Sequence, residues 1–176
     1  MKFLFTFIAG CCLLSACSKD DNNYGLPNAT SSGKNSFACL IDGDPYIARN
    51  ENTQFLVFGE LPLEVMWDTP RVLIHTRDIH KENDQTSERL LHLTLTVNPD
   101  LSVARITGDY YVKGTGTNCY DFNLDTDLPY KVDISRYDPP GSVPRIISGT
   151  FEGSFRGAGD CDKIVKVTEG RFDVKI

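Results

Sequence analysis

The chain has 176 residues, 18 of them basic and 24 acidic, for a formal net charge of −6, and 40% of it is hydrophobic. That length suits one domain, and the apolar fraction is that of a globular chain rather than a disordered one. The acidic balance argues against nucleic-acid binding, which needs a basic face to neutralise phosphates. A polytopic helical membrane protein is excluded, because the one long apolar run lies within the first sixteen residues.

That run, Phe3 to Leu14 after Met1-Lys2, is too short for a permanent span and has the length of a secretory signal. It ends in Leu14-Ser15-Ala16-Cys17, which resembles the lipobox of bacterial lipoproteins. The resemblance implies cleavage after residue 16 and acylation of the Cys17 thiol, so that the protein's partner is a membrane, reached through a lipid anchor. Each buried methylene contributes about 0.8 kcal/mol, so two or three acyl chains would hold the protein almost permanently. The acidic stretch Ser18-Lys19-Asp20-Asp21-Asn22-Asn23 resembles the surface-export signal of Bacteroidota lipoproteins, which implies the outer membrane and its outward face. Residues 17–35 as a whole are rich in Asn, Ser, Gly and Asp and too poor in apolar side chains to offset their ordering entropy, so a flexible tether is expected.

From Ser36 onward the hydrophobic period is two. Phe37 to Ile41 and Tyr46 to Ala48 flank Asp42-Gly43, a strong hairpin signal because glycine accepts the positive φ of a tight turn. Strands are expected at Thr53–Phe58, at Leu63–Asp68 with Leu63, Val65 and Trp67 on one side, and at Val72–Arg77. The polar stretch Asp78–Glu88 reads as a loop. Arg89 to Val97 is the clearest strand, with Leu91, Leu93, Leu95 and Val97 on one face and His92, Thr94 and Thr96 on the other. Strands follow near Tyr110, Phe122 and Val132. The last pair places Ile147, Gly149, Phe151, Gly153 and Phe155 on one face, then runs from Val165 to Ile176. No window sustains the three-and-four spacing of a helix. The expectation for 36–176 is an all-β domain, an antiparallel meander of about ten strands forming a β-sandwich or lipocalin-like barrel.

Phe37-Ala38-Cys39-Leu40-Ile41-Asp42-Gly43, the Gly108-Asp109-Tyr110 strand, Ile147-Ser148-Gly149-Thr150-Phe151 and Thr168-Glu169-Gly170-Arg171-Phe172-Asp173-Val174 resemble the start, middle and end of a family of uncharacterised Bacteroidota surface lipoproteins. That likeness implies an all-β domain on a lipid tether and brings no catalytic set.

Of six cysteines, Cys11 and Cys12 lie in the signal segment and Cys17 would carry lipid, leaving Cys39, Cys119 and Cys161. Export would place them in an oxidising compartment, where three single pairings are open. Cys119 with Cys161 is favoured, since both sit near strand ends, whereas Cys39 shares a strand face with Phe37 and Ile41. No histidine is placed to activate a catalytic cysteine. His75 and His92 could face each other across neighbouring strands, but His75, His80 and His92 lack a metal-ligand spacing, so no metal is expected. Asn123, Asp125 and Asp127 imitate half of a calcium loop, yet Leu128 and Ile134 stand where glycine and glutamate are required. No cofactor motif is present, because the glycine-rich stretches open no helix. Tyr110 and Tyr111 must point to opposite faces of their strand, and with Trp67, Tyr120, Tyr130 and Tyr137 they could offer stacking surfaces.

The expected function is therefore a binding or interaction module without catalysis of its own, for a glycan, a small ligand or a surface protein complex. The alternatives are a glycan- or peptide-hydrolase accessory enzyme, for which Asp42, Asp44, Asp109 and Asp121 are the first carboxylates to check, and a purely structural envelope protein.

Overall fold

The computed structural model describes residues 25–50, 61–68, 70–82, 85–113 and 119–175. The signal segment, Cys17, the strand expected at Thr53–Phe58 and the glycines at 114 and 116 lie outside them. The described residues form eleven strands and no helix: β1 (Ser36–Ile41), β2 (Asp44–Ile47), β3 (Arg49–Asn50), β4 (Leu63–Asp68), β5 (Arg71–Glu82), β6 (Gln85–Val97), β7 (Val103–Lys113), β8 (Asp121–Leu124), β9 (Lys131–Tyr137), β10 (Ile146–Gly157) and β11 (Ile164–Lys175).

One sheet holds them all, in the order β2-β1-β11-β10-β8-β7-β6-β5-β3, with β4 beside the first half of β5 and β9 beside the first half of β10. Ten strands pair antiparallel, and only the two-residue β3 pairs parallel, with β5. The sheet curls into a half-barrel, and the chain itself shows why its ends approach. β2 closes one end and β3 the other, yet only Ala48 separates them in sequence. At the far end of the strands β4 meets β9, where the Trp67 and Tyr137 rings lie 5.3 Å apart.

Period-two alternation sets the core. Leu91, Leu93, Leu95 and Val97 all point inward, with Val72 and Ile74 from β5, Ile147, Phe151 and Phe155 from β10, and Val165, Val167, Phe172 and Val174 from β11. Fully burying each such side chain contributes about 1.5–3 kcal/mol. Asp42 and Gly43 both take positive φ, 50° and 90°, as a tight hairpin turn requires.

Two sequence expectations need correction. The stretch Asp78–Glu88, read as a loop, is instead the far end of a long hairpin in which β5 and β6 pair from Arg71↔Thr96 to Glu82↔Gln85. Its polarity misled because the charges are paired: Asp78, fully buried, pairs with Arg89, and Arg77 meets Glu88 at 3.1 Å. The second correction concerns the tether, since residues 25–35 are bound to the domain as a strap. Leu26 is buried on Ala38 and Leu40, on the outer face of β1. Arg171 donates to the Pro27 carbonyl at 3.0 Å and Arg136 to that of Ser31 at 2.9 Å. Asp173, 1% exposed, accepts from the backbone amides of Ser32, Gly33 and Lys34, from the Ser148 hydroxyl at 2.6 Å and from the Thr30 hydroxyl. Polar composition alone does not reveal this, because beyond the one anchor Leu26 the strap is held by hydrogen bonds, chiefly to one buried carboxylate, rather than by apolar surface of its own.

Candidate functional site

The end of the half-barrel marked by the start of β6 and β11 and the close of β7 opens on a cavity of about 300 Å3. Its apolar floor is Ile41, Phe122 and Val165, inward residues of β1, β8 and β11. Its charged rim is Asp42, Asp44, Arg89 and Lys163. Cys119 lines it too, joined by a disulfide to Cys161 with the Cα atoms 5.6 Å apart, while Cys39 is a free, buried thiol on the inner face. On the other side of that disulfide lies a second, more polar depression of about 530 Å3, lined by Tyr120, Asp121 and the turn Ala158–Cys161. Gly157 allows the disulfide to sit there: a Cβ on it would come within 2.3 Å of the Cys161 sulfur.

Hydrogen bonds and ion pairs fix the rim. The Asp42 carboxylate accepts the Lys166 amide at 2.8 Å and lies 3.8 Å from the Lys163 ammonium. Arg89 pairs with Asp78, donates to the Pro45 carbonyl at 2.6 Å and lies over the Tyr46 ring at 5.4 Å. Tyr46 is fully buried behind it, its hydroxyl 2.8 Å from that of Thr76, which donates to the Leu91 carbonyl. The cationic side of the site is therefore already neutralised from within.

Burial decides the protonation of the neighbouring groups. It pushes the Tyr110 hydroxyl up to about 12, against the pull of Arg89, and it pushes the Cys39 thiol and the Tyr46 hydroxyl far above their ordinary values. All three stay neutral near pH 7.

The four carboxylates singled out from the sequence divide. Asp42 and Asp44 line the cavity, Asp121 borders the polar depression, and Asp109 stands on the outer face of β7, 2.9 Å from His92. The structure brings only Asp42 and Asp44 to one cavity and leaves Asp109 and Asp121 apart from them. His75 and His92 do face each other in register, their rings 4.3 Å apart, within a row that runs Glu64, His75, His92, Asp109 across β4 to β7. No metal-ligand group of three His, Cys, Asp or Glu occurs among the described residues. Tyr110 points inward and Tyr111 outward against Tyr120, which is 51% exposed. Asp125, from the sequence resembling a calcium loop, closes a turn by accepting the Asp127 amide and pairs with Arg156 at 2.7 Å. Sequence reasoning missed Arg89 and Lys163 as site residues. The available signal for Arg89 was a charge at the first position of the strongest strand, which register then sets opposite Asp78.

Compared with family models, curated proteins and solved structures, the chain matches none.

Proposed function

We propose that this is an exported lipoprotein, cleaved after residue 16, acylated on Cys17 and held on the outward face of an outer membrane, whose β domain binds a small uncharged ligand without transforming it. The lipobox-like Leu14-Ser15-Ala16-Cys17, the acidic stretch after it and the resemblance to Bacteroidota surface lipoproteins support the address. The observation that carries the binding reading is the cavity of about 300 Å3, a size at the lower end of ligand sites, with an apolar floor and a rim of two acidic and two basic side chains. Both rim cations already face a carboxylate, Arg89 that of Asp78 and Lys163 that of Asp42, which favours a neutral ligand over an anion. The exposed Tyr120 beside the adjoining polar depression favours one with an apolar ring face and hydroxyl groups, a neutral saccharide.

The test is thermal unfolding of the full-length protein against a panel of neutral mono- and disaccharides. A saturable rise in Tm with one of them, abolished by Val165→Trp, which fills the floor, supports binding there. No rise with any sugar refutes the saccharide reading and favours a structural role. Release of a cleaved product would overturn the non-catalytic reading. For the address, mass spectrometry of the natural protein should find fatty acyl chains on Cys17, and Cys17→Ala should leave the membrane fraction.

A further inference from the structure

A second constellation lies at the opposite end of the strands from the cavity. Register places it: the cavity touches Arg89 and Val165 near the starts of β6 and β11, whereas Trp67 aligns through Val72 with Leu95, and Tyr137 through Ile147 with Val174, near their other ends. Here β4 and β9 meet without pairing to each other. The Arg145 guanidinium, from the segment leading into β10, stacks on the Trp67 ring at 3.7 Å, and Trp67 in turn packs against Tyr137.

Four polar atoms in this cluster are buried and have no hydrogen-bond partner among the described residues: Arg145 Nε, Arg145 Nη2, Trp67 Nε1 and the Tyr137 hydroxyl. Buried polar groups are nearly always satisfied, so four orphans on three touching side chains are an unusual concentration. Nε and Nη2 are the two nitrogens on one edge of a guanidinium, the edge that grips a planar oxyanion with two parallel bonds. Asp138 feels the charge of Arg145, and it is already committed. Its two oxygens accept from Arg136 at 2.8 and 2.9 Å, and one also accepts the Ile146 amide at 3.1 Å.

We propose that Arg145, Trp67 and Tyr137 form a carboxylate-binding site between the edges of β4 and β9. The inventory matches. A carboxylate is acceptor-only, with about four lone-pair sites on two oxygens, and the cluster offers two guanidinium N–H groups, one indole N–H and one phenolic O–H. Stacking of the guanidinium on the indole holds its plane, so little side-chain freedom is lost when a ligand engages the fork. The site is separate from the saccharide cavity, and its test does not depend on that reading.

The assay uses a reporter inside the site: Trp67 is the sole tryptophan of the chain. Full-length protein is titrated with sodium acetate, succinate and phosphate up to about 50 mM at constant ionic strength while tryptophan emission is followed. The expected result is a saturable emission change with acetate or succinate, weakened about tenfold in Arg145→Lys, which keeps the charge and loses the fork. Tyr137→Phe, which removes only a hydroxyl and preserves the packing, should weaken it several-fold and keeps the test valid if the arginine variant fails to fold. Absence of a saturable change with either carboxylate overturns the proposal. So does undiminished binding in both variants, or phosphate binding as tightly as the carboxylates.

Discussion

Asp173→Asn tests the docking of the strap. Burial by itself would raise the Asp173 carboxyl, but the hydrogen bonds from Ser148, Thr30 and the strap amides overcome it and hold the group at about 2, below the ordinary 3.8. The folded value is depressed, so the stabilisation is present above the unfolded value and is lost as pH falls from about 4 through about 2. The gap corresponds to about 2 kcal/mol at neutral pH. Asparagine keeps one acceptor and turns an NH2 donor either toward the amides of Ser32 and Lys34, which share one carboxylate oxygen, or toward that of Gly33 on the other, which adds an unsatisfied contact to the lost charge. The total expected is about 3 kcal/mol, or a fall in Tm of about 6–12 °C for a domain of this size. Urea unfolding at pH 7 and near pH 2 measures it: the gap between wild type and variant should shrink at the acid end. A variant within about 0.5 kcal/mol of wild type at pH 7, or a gap that persists unchanged in acid, would refute the reasoning.

The disulfide and the histidine row give further tests. Cys119→Ser with Cys161→Ser opens a loop with a sequence separation of 42, for which chain entropy predicts a loss of about 4 kcal/mol, read as a lower urea midpoint and as insensitivity of stability to dithiothreitol. The His75 imidazole is held below its ordinary 6.5 by burial and by His92, against the opposing pull of Glu64 and Asp109. Its depressed value means that the unfolded chain takes up the proton first, so stability should decline as pH drops below about 6.5. His75→Gln should flatten that decline in a Tm-against-pH series, and an unchanged slope would count against it.

What the sequence disclosed follows from where side-chain period reports burial. β6 was legible because Leu91, Leu93, Leu95 and Val97 alternate with polar residues over its inner half. Its other half, Gln85 to Leu90, carries charges that are paired across to β5 and β7, through Arg77–Glu88, Arg89–Asp78 and Lys113–Glu88, and no local pattern reports a partner on another strand. The strap was illegible for the same reason: the acid that binds it stands 138 positions beyond Asn35, and a lone aspartate in a strand reads as surface. The cavity was half legible. Asp42 and Asp44 stand out beside the Asp-Gly turn, but Arg89, Lys163 and the disulfide wall reach it only through the sheet order β1-β11-β10-β8-β7-β6 and the curl that returns β6 toward β2. The Arg145 cluster was beyond reach, since Trp67 and Tyr137 carry the ordinary signature of strand aromatics and only the meeting of β4 with β9 brings them together.

The docked strap changes the geometry that an anchor on Cys17 would impose. If all of residues 18–35 were free, the chain between Cys17 and Ser36 could reach about 65 Å from the lipid surface; with the strap bound, only residues 18–24 remain between Cys17 and Gly25, and covalent geometry limits the reach to about 27 Å. A protein acylated as proposed should therefore ride close to the bilayer, with the outer face of β1 and β11 nearest the point of attachment, because Leu26 sits there. Neutron reflectometry on a supported bilayer measures the water layer beneath the protein. Asp173→Asn combined with Leu26→Ser removes both the polar and the apolar hold on the strap, and the layer should thicken relative to wild type. Equal spacing in the two proteins, with both confirmed as acylated, would show that the strap does not govern how far the domain stands from the membrane.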